Sequence, residues 1–315
     1  MNCLCCGKPL ESGDMEGGWH KKCVRSFFGS TVLPELEIDE ETLARIAAES
    51  CSKGFTVPGV QKKLSLHLKK GTGGPRLTLV NYPSGYILKP QVEEYSAMPE
   101  AEHLVMSMAE IAGIKTVPHA LLNGKNGYAY ITKRVDRILK PGKVGLLAME
   151  DFCQLDLRMT QDKYKGSYER CAKIVERYSA RSGLDETELF LRIVFSFLVG
   201  NSDMHLKNFS LIETVEGSGE YVLSPAYDLL PVNLIMPADK EQFALSMNGK
   251  KKNIRKKDFK AFAACCNLPE KVSSRMLEKL GALQQTFTYM VEGSLLPDEM
   301  KKKFLVLMKA RFGVL

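Results

Sequence analysis

The sequence predicts an α+β protein in which a β-rich lobe precedes a helical lobe. Strand-like alternation and turn signals dominate roughly residues 54–135, and helical periodicity dominates from about residue 150 onward. A third observation sharpens the division. Residues 189–199 are a strongly apolar run, the pattern of a buried helix, and stop at Gly200 before a polar loop. The boundaries that follow are a cysteine-rich segment over 1–35, a β-rich lobe over 36–140 and a helical lobe over 141–315.

At 315 residues, 44% hydrophobic and 26% charged, the chain has the size and composition of a soluble protein with one large core or two lobes. It contains no apolar run of about eighteen residues and no charged-then-apolar leader, so neither a membrane span nor a secretion signal is expected. Nine cysteines without a secretory signal point to a reducing, cytoplasmic compartment. The net charge of +7 permits contact with phosphates or an acidic partner. The basic run over 250–257 reads as a solvated face, and direct DNA binding is not expected.

Element by element, the chain opens with Cys3-x2-Cys6 and, thirteen residues on, His20-x2-Cys23, a tetrahedral zinc-ligand spacing. Cys5 competes as a ligand, and two readings stay open, a structural zinc knuckle and a metal-free thiol cluster. Residues 37–50 look helical, with Leu43, Ile46 and Ala47 on one face and acidic residues in the first turn. A Gly/Pro turn leads into a half-buried strand marked by Leu64, Leu66 and Leu68. A hairpin loop over 71–75 and strands over 77–80 and 86–90 follow. Pro99 suits the first position of a helix over 99–112, and Asn126-Gly127 is the turn signal of a hairpin over 118–132. Helices are expected over 150–157, 168–179, 184–199, 257–266, 269–285 and 297–311, and short strands over 209–212 and 221–224.

The chemistry concentrates after Gly200, in Asp203, His205, Lys207 and Asn208. Asp-x4-Asn is the spacing of a protein-kinase catalytic loop: the Asp accepts a hydroxyl proton, and the Asn reaches back to a magnesium ion on the phosphates. The spacing alone is common in loops; a buried helix before it and Tyr227-Asp228 after it make it stronger. The other parts of such a site occur in kinase order. Thr56, Val57, Gly59, Val60 and Gln61 form a tight loop whose glycine would let the backbone approach phosphate, with an ordinary β-turn as the alternative. Lys89 would touch the α- and β-phosphates and Glu102 would hold it, although each also suits a solvated position. Asn208 and Asp228 offer oxygen ligands to magnesium. His205 would shape the loop or touch phosphate, and Lys207 would neutralise the transferring group or be solvated. A degenerate kinase fold acting as a zinc-containing binding module on an antitoxin or nucleic acid, and a small-molecule kinase, are the competing readings.

Thr56-Val-Pro-Gly-Val-Gln-Lys-Lys63, Tyr86-Ile-Leu-Lys89, Ile131-Thr-Lys-Arg-Val-Asp-Arg137, Glu150-Asp-Phe-Cys-Gln154, Gly200-Asn-Ser-Asp-Met-His-Leu-Lys-Asn-Phe-Ser210 and Leu223-Ser-Pro-Ala-Tyr-Asp228 resemble the HipA-like serine/threonine kinases, toxins of bacterial toxin–antitoxin modules. The resemblance covers roughly residues 50–290. It implies a two-lobed, protein-kinase-like fold that transfers the γ-phosphate of Mg-ATP to a protein, an aminoacyl-tRNA synthetase in characterised relatives. It implies Asp203 as base, Asn208 and Asp228 as magnesium ligands, Lys89 as the ATP-phosphate lysine, and the 133–135 backbone, Lys133 and Val135 included, as adenine hinge. It also implies restraint by a DNA-binding antitoxin and by autophosphorylation in the Gly-rich loop, at Thr56 where relatives often carry serine. Val135 stands where relatives commonly have an aromatic. With about fifty residues before the loop, the chain resembles the short HipT-type toxins, whose missing N-terminal subdomain is a separate small protein.

Overall fold

The computed structural model describes residues 1–11, 13, 15–37, 63–71, 74–79, 85–124, 127–140 and 143–315. The helix expected over 37–50 lies outside the described residues from residue 38 on, as do the loop from Thr56 to Gln61 and the turn residue Asn126. The chain divides into two compact units, residues 1–103 with 117–144, and residues 104–116 with 145–315.

The first unit begins with strands β1 (Met15–Glu16) and β2 (Trp19–His20) and helix α1 (Lys21–Phe28). Gly17 and Gly18 join the strands at φ of +55° and +87°, the paired left-handed residues a two-residue hairpin needs. Strands β3 (Glu35–Glu37), β4 (Leu64–Gly71), β5 (Gly74–Leu79), β6 (Tyr86–Pro90), β7 (His119–Gly124) and β8 (Gly127–Lys133) then form a six-stranded sheet in the order β3-β5-β4-β6-β8-β7. All its pairings are antiparallel except β3 with β5. The period-two pattern does its physical work here: Leu64 and Leu66 fall on one face and are buried with Leu77, Tyr86, Leu88 and Ile131. Helix α2 (Met98–Ala112) starts one residue before Pro99.

Two short strands that periodicity does not reveal, β9 (Arg137–Lys140) and β10 (Lys143–Leu146), form a ribbon of their own. In the second unit, β11 (Met149–Asp151), β12 (Ser210–Glu213) and β13 (Tyr221–Leu223) make a three-stranded antiparallel sheet. The helix expected over 150–157 shrinks to α3 (Phe152–Leu155), because Glu150 and Asp151 are spent pairing with Leu211 and Ser210. Asp151 instead caps that helix in a capping box with Gln154.

Helices α4 (Tyr168–Tyr178) and α5 (Ser182–Leu198) follow, and α5 is the centre of the unit: Leu189, Phe190, Ile193, Val194, Phe195, Phe197 and Leu198 are all fully buried. Each such side chain contributes roughly 1.5–3 kcal/mol of transfer free energy. Helices α6 (Val232–Ile235), α7 (Lys256–Cys265), α8 (Glu270–Gly281), α9 (Gln284–Glu292) and α10 (Asp298–Phe312) complete the unit. The single helix expected over 269–285 is two, broken after Gly281, where helix propensity is lowest. Among the described residues, no helix is long and apolar enough to cross a membrane.

Gly200 sits directly beyond α5 at φ +69°, and a Cβ there would lie 2.7 Å from Leu307 Cδ2. Gly200→Ala is expected to lower stability by about 1–2 kcal/mol, from the left-handed backbone and the crowding together, read as a shift in the denaturant midpoint at unchanged slope.

Candidate functional site

The loop after α5 is pinned along its length. Asn201 N–H donates to the Ser196 carbonyl (2.8 Å), Leu206 N–H to the Lys163 carbonyl (3.1 Å), and the Tyr168 hydroxyl to the Met204 carbonyl (3.1 Å). Inside the loop, Asn208 Nδ2 donates to the Asp203 carbonyl at 2.8 Å, so the two residues of the Asp-x4-Asn spacing are held together and the amide oxygen is the atom left for a cation. His205 contributes backbone bonds to both, its N–H to the Asp203 carbonyl and its carbonyl to Asn208 N–H, while its buried ring packs edge-on against Tyr164 at 5.0 Å.

Asp203 Oδ1 accepts a hydrogen bond from the Tyr164 hydroxyl at 2.7 Å. Burial pushes the Asp203 carboxyl up to about 6; the Tyr164 bond and Lys163 hold it down, and the carboxylates of Asp228 and Asp239 raise it further. The loop therefore carries a carboxylate whose proton affinity is suited to work near neutral pH.

Asp228 follows β13 and adopts φ +61°, a conformation uncommon outside glycine but tolerated by Asp. The two residues before it are fixed. Ala226 N–H donates to the Lys115 carbonyl (2.7 Å), and the Tyr227 hydroxyl donates to the Lys207 carbonyl (3.2 Å) and lies 2.6 Å from Ser210 Oγ. Tyr227 is thus a strut between the loop of Asp203 and that of Asp228. Lys207 Nζ is 2.5 Å from Asp151 Oδ2. Asp151, Tyr164, Tyr227 and Asp239 have no role in the reading of the sequence. Tyr227, adjacent to Asp228, and Asp151, inside the Glu150–Gln154 motif, carried a local signal; Tyr164 lies 39 residues from its partner, beyond any spacing rule.

In the first unit, Lys89 Nζ lies 2.5 Å from Glu102 Oε1, with both side chains buried. The ammonium also lies 5.2 Å from the Tyr130 ring centroid, directly across the β6–β8 register. His119 stacks on Tyr130, and His103 Nδ1 is 2.9 Å from His119 Nδ1. Burial, and the neighbouring His119, hold His103 well below the ordinary histidine range, which keeps it neutral. Of the segment 133–135, Lys133 N–H is spent on the Pro118 carbonyl (3.1 Å) and Arg134 N–H on Gly85 (2.9 Å). Val135 begins the turn that Arg137 N–H closes onto the Arg134 carbonyl.

The ligand atoms of Cys3, Cys6, His20 and Cys23 all lie within 4.8 Å of one another. Cys5 stands outside that set.

A family profile, HipA-like C-terminal domain, matches residues 55–287. A Haemophilus influenzae protein named "Putative kinase" is 27% identical over 242 residues, 72% of this chain and 67% of that protein. "Putative kinase Y4dM" of Sinorhizobium fredii is 31% identical over 250 residues, 74% of this chain but only 58% of that protein. Among solved structures, the Shewanella oneidensis toxin–antitoxin complex of HipA, HipB and operator DNA matches with a TM-score of 0.66 at 21% identity, over 82% of this chain and 63% of the other. The Helicobacter pylori proinflammatory kinase CtkA matches with a TM-score of 0.52 at 14% identity, over 80% and 93%. These likenesses give the mixed α+β architecture as kinase-like, and the profile, which spans most of the chain, gives its family: the protein belongs to the HipA-like C-terminal domain family.

Proposed function

We propose that the protein is a Mg-ATP-dependent serine/threonine protein kinase of the HipA type. The observation that carries this reading is the Asp203 loop, in which a carboxylate tuned to about 6 and an amide anchored to its backbone form one rigid unit. The buried Lys89–Glu102 pair supports it, since a buried ion pair is a poor stability device and is retained where a lysine must be held in one place.

In this reading residues 36–140 carry the nucleotide and 141–315 the transfer chemistry. Thr56, Val57, Gly59, Val60 and Gln61 cover the phosphates, Lys89 binds the α- and β-phosphates with Glu102 fixing its position, and the backbone between Lys133 and Val135 takes the adenine. Asn208 Oδ1 and the Asp228 carboxylate fit a hard cation that prefers oxygen ligands. Magnesium bound there would neutralise charge on the phosphates. Asp203 accepts the proton of the substrate hydroxyl as its oxygen attacks the γ-phosphorus and the bond to the departing ADP oxygen breaks. Tyr164 aims the carboxylate. Lys207 is held by Asp151 and would neutralise charge on the transferring group. The HipB bound to the Shewanella HipA supports an antitoxin as partner, and Thr56 is the proposed site of self-phosphorylation. The family resemblance favours a protein substrate, such as an aminoacyl-tRNA synthetase, over a small molecule.

Three outcomes test this. Asp203→Ala abolishes phosphate transfer to protein or to Thr56, read by intact and peptide mass spectrometry, while leaving Mg-ATP binding largely intact; transfer at the wild-type rate by that variant overturns the reading. In the wild type, kcat/KM falls as pH drops below about 6, where Asp203 gains its proton, and Tyr164→Phe moves that limb to higher pH by removing a bond that favours the carboxylate. The third concerns stability without ligand. The folded state prefers the neutral acid, so the stability this preference gives is complete below the ordinary value of 3.8 and is lost as pH rises through about 6. Asp203→Asn therefore stabilises the protein above pH 6, by on the order of 2 kcal/mol, and the advantage fades toward pH 4 in thermal melts at the two pH values.

A further inference from the structure

The described residues among 1–33 lie outside the span of the family profile, yet they build a module against the first unit's sheet. We propose that Cys3, Cys6, His20 and Cys23 bind one zinc ion in a closed structural site, and that this ion clamps the module onto strands β6, β7 and β8.

The four donors come from three pieces of local structure that converge for ordinary backbone reasons. Cys3 and Cys6 flank a tight turn in which Gly7 N–H donates to the Cys3 carbonyl (2.9 Å) and Cys3 N–H to the Lys8 carbonyl (2.8 Å). His20 ends the β1–β2 hairpin, and Cys23 lies in the first turn of α1. His20 Nδ1 is 3.4 Å from Cys6 Sγ and 3.9 Å from Cys23 Sγ. Tetrahedral zinc with three sulfur ligands and one nitrogen has ligand–ligand edges of about 3.5–3.8 Å, so the two His20–sulfur distances lie close to such an edge, and all four donors lie within 4.8 Å of one another.

The surrounding hydrogen bonds are those a metal would need. His20 Nε2 is 2.9 Å from the Pro9 carbonyl, a pure acceptor, so Nε2 carries the hydrogen and Nδ1 presents its lone pair to the thiols. His20 N–H lies 3.3 Å from Cys3 Sγ, a bond that favours the thiolate. Binding releases the three thiol protons to solvent and leaves no open coordination position, which makes the site structural. Three soft sulfurs with one imidazole favour zinc over magnesium or calcium.

The module's inner face meets the sheet at specific groups. Strand β7 is an edge of the sheet, and its residue Leu121 is closed off twice: its N–H donates to the Leu4 carbonyl (2.8 Å), and its carbonyl accepts from Trp19 Nε1 (2.9 Å). Leu4 is next to Cys3, and Trp19 is next to His20. At the other end of the module, Lys133 Nζ donates to the Ser26 carbonyl (3.2 Å) and lies 5.3 Å from the Phe27 ring centroid. Phe28 packs on Tyr86 at 5.5 Å, and Tyr86 is the register partner of Lys133. The ion would therefore hold the piece of chain that buttresses Lys133.

The test uses the full chain purified from zinc-replete medium. Metal analysis is expected to find about one zinc per chain, and the cobalt-substituted protein to show the intense d–d bands of a tetrahedral thiolate site. Cys6→Ser and Cys23→Ser lower the zinc content, whereas Cys5→Ser retains it. A strong chelator lowers the melting temperature of the wild type, and added zinc restores it. Zinc far below one per chain, or a weak octahedral-type cobalt spectrum, overturns the site; full zinc whose removal leaves melting unchanged overturns the clamp. Neither readout needs nucleotide. A further arm rests on the kinase reading: the zinc-stripped protein is expected to bind a Mg-ATP analogue more weakly than the reloaded one. Absence of binding in both forms counts against the kinase reading and leaves the zinc site standing.

Discussion

Helix α5 is buried along almost all of its C-terminal half, from Leu189 to Leu198, and the second unit is arranged around that constraint. A stretch of helix that offers so little surface to water carries no exposed chemistry, so the polar groups come immediately after it, where Gly200 turns the chain at a backbone angle that an L side chain resists. The loop then inherits the rigidity of the core beneath it. Arg192, buried within α5, extends the same constraint outward: it donates to the Ser224 carbonyl at 2.7 Å and pairs with Glu188, tying the helix to the chain segment that leads to Asp228.

Ionisable groups inside the protein show where position has been favoured over stability. The Lys89–Glu102 pair and the Asp203 carboxylate each cost desolvation energy that an apolar side chain of similar size would not incur. Their partners limit that cost without removing it. Tyr164 and Lys163 lower the Asp203 value against burial, and Tyr130 offers its ring face to Lys89. A neutral His103 adds no charge to compete with the lysine. Such arrangements are what a site requires when an ammonium and a carboxylate must be held at fixed points.

The N-terminal module answers a different problem, that of an edge strand. Without the Leu4 and Trp19 contacts, the N–H and carbonyl of Leu121 on β7 would lose these partners. A segment of about thirty residues buries little on its own, which is why a cross-link at its centre matters more to it than to the helical unit.

The sequence by itself determined the α+β division, most helices to within a residue or two, the period-two strand with Leu64 and Leu66, and the Asp203, Asn208 and Asp228 spacing. Asp228 stands on a separate loop and was legible from the order of the motifs, whereas most of the others are short-range properties, in which residues a few positions apart share one face or one loop. The Cys3, Cys6, His20 and Cys23 set was legible for the same reason, although its rival Cys5 was set aside only by where the sulfurs lie. Tertiary structure alone decided that residues 149–151 are a strand, since their partners are Ser210, Leu211 and Ile212. It also decided that Lys207 is held by Asp151, that Tyr164 bonds Asp203, and that Lys89 is buried rather than solvated. Those outcomes depend on groups tens of residues apart meeting in a low-dielectric interior. No local period encodes such a meeting, because the free energy that fixes it comes from the packing around the pair.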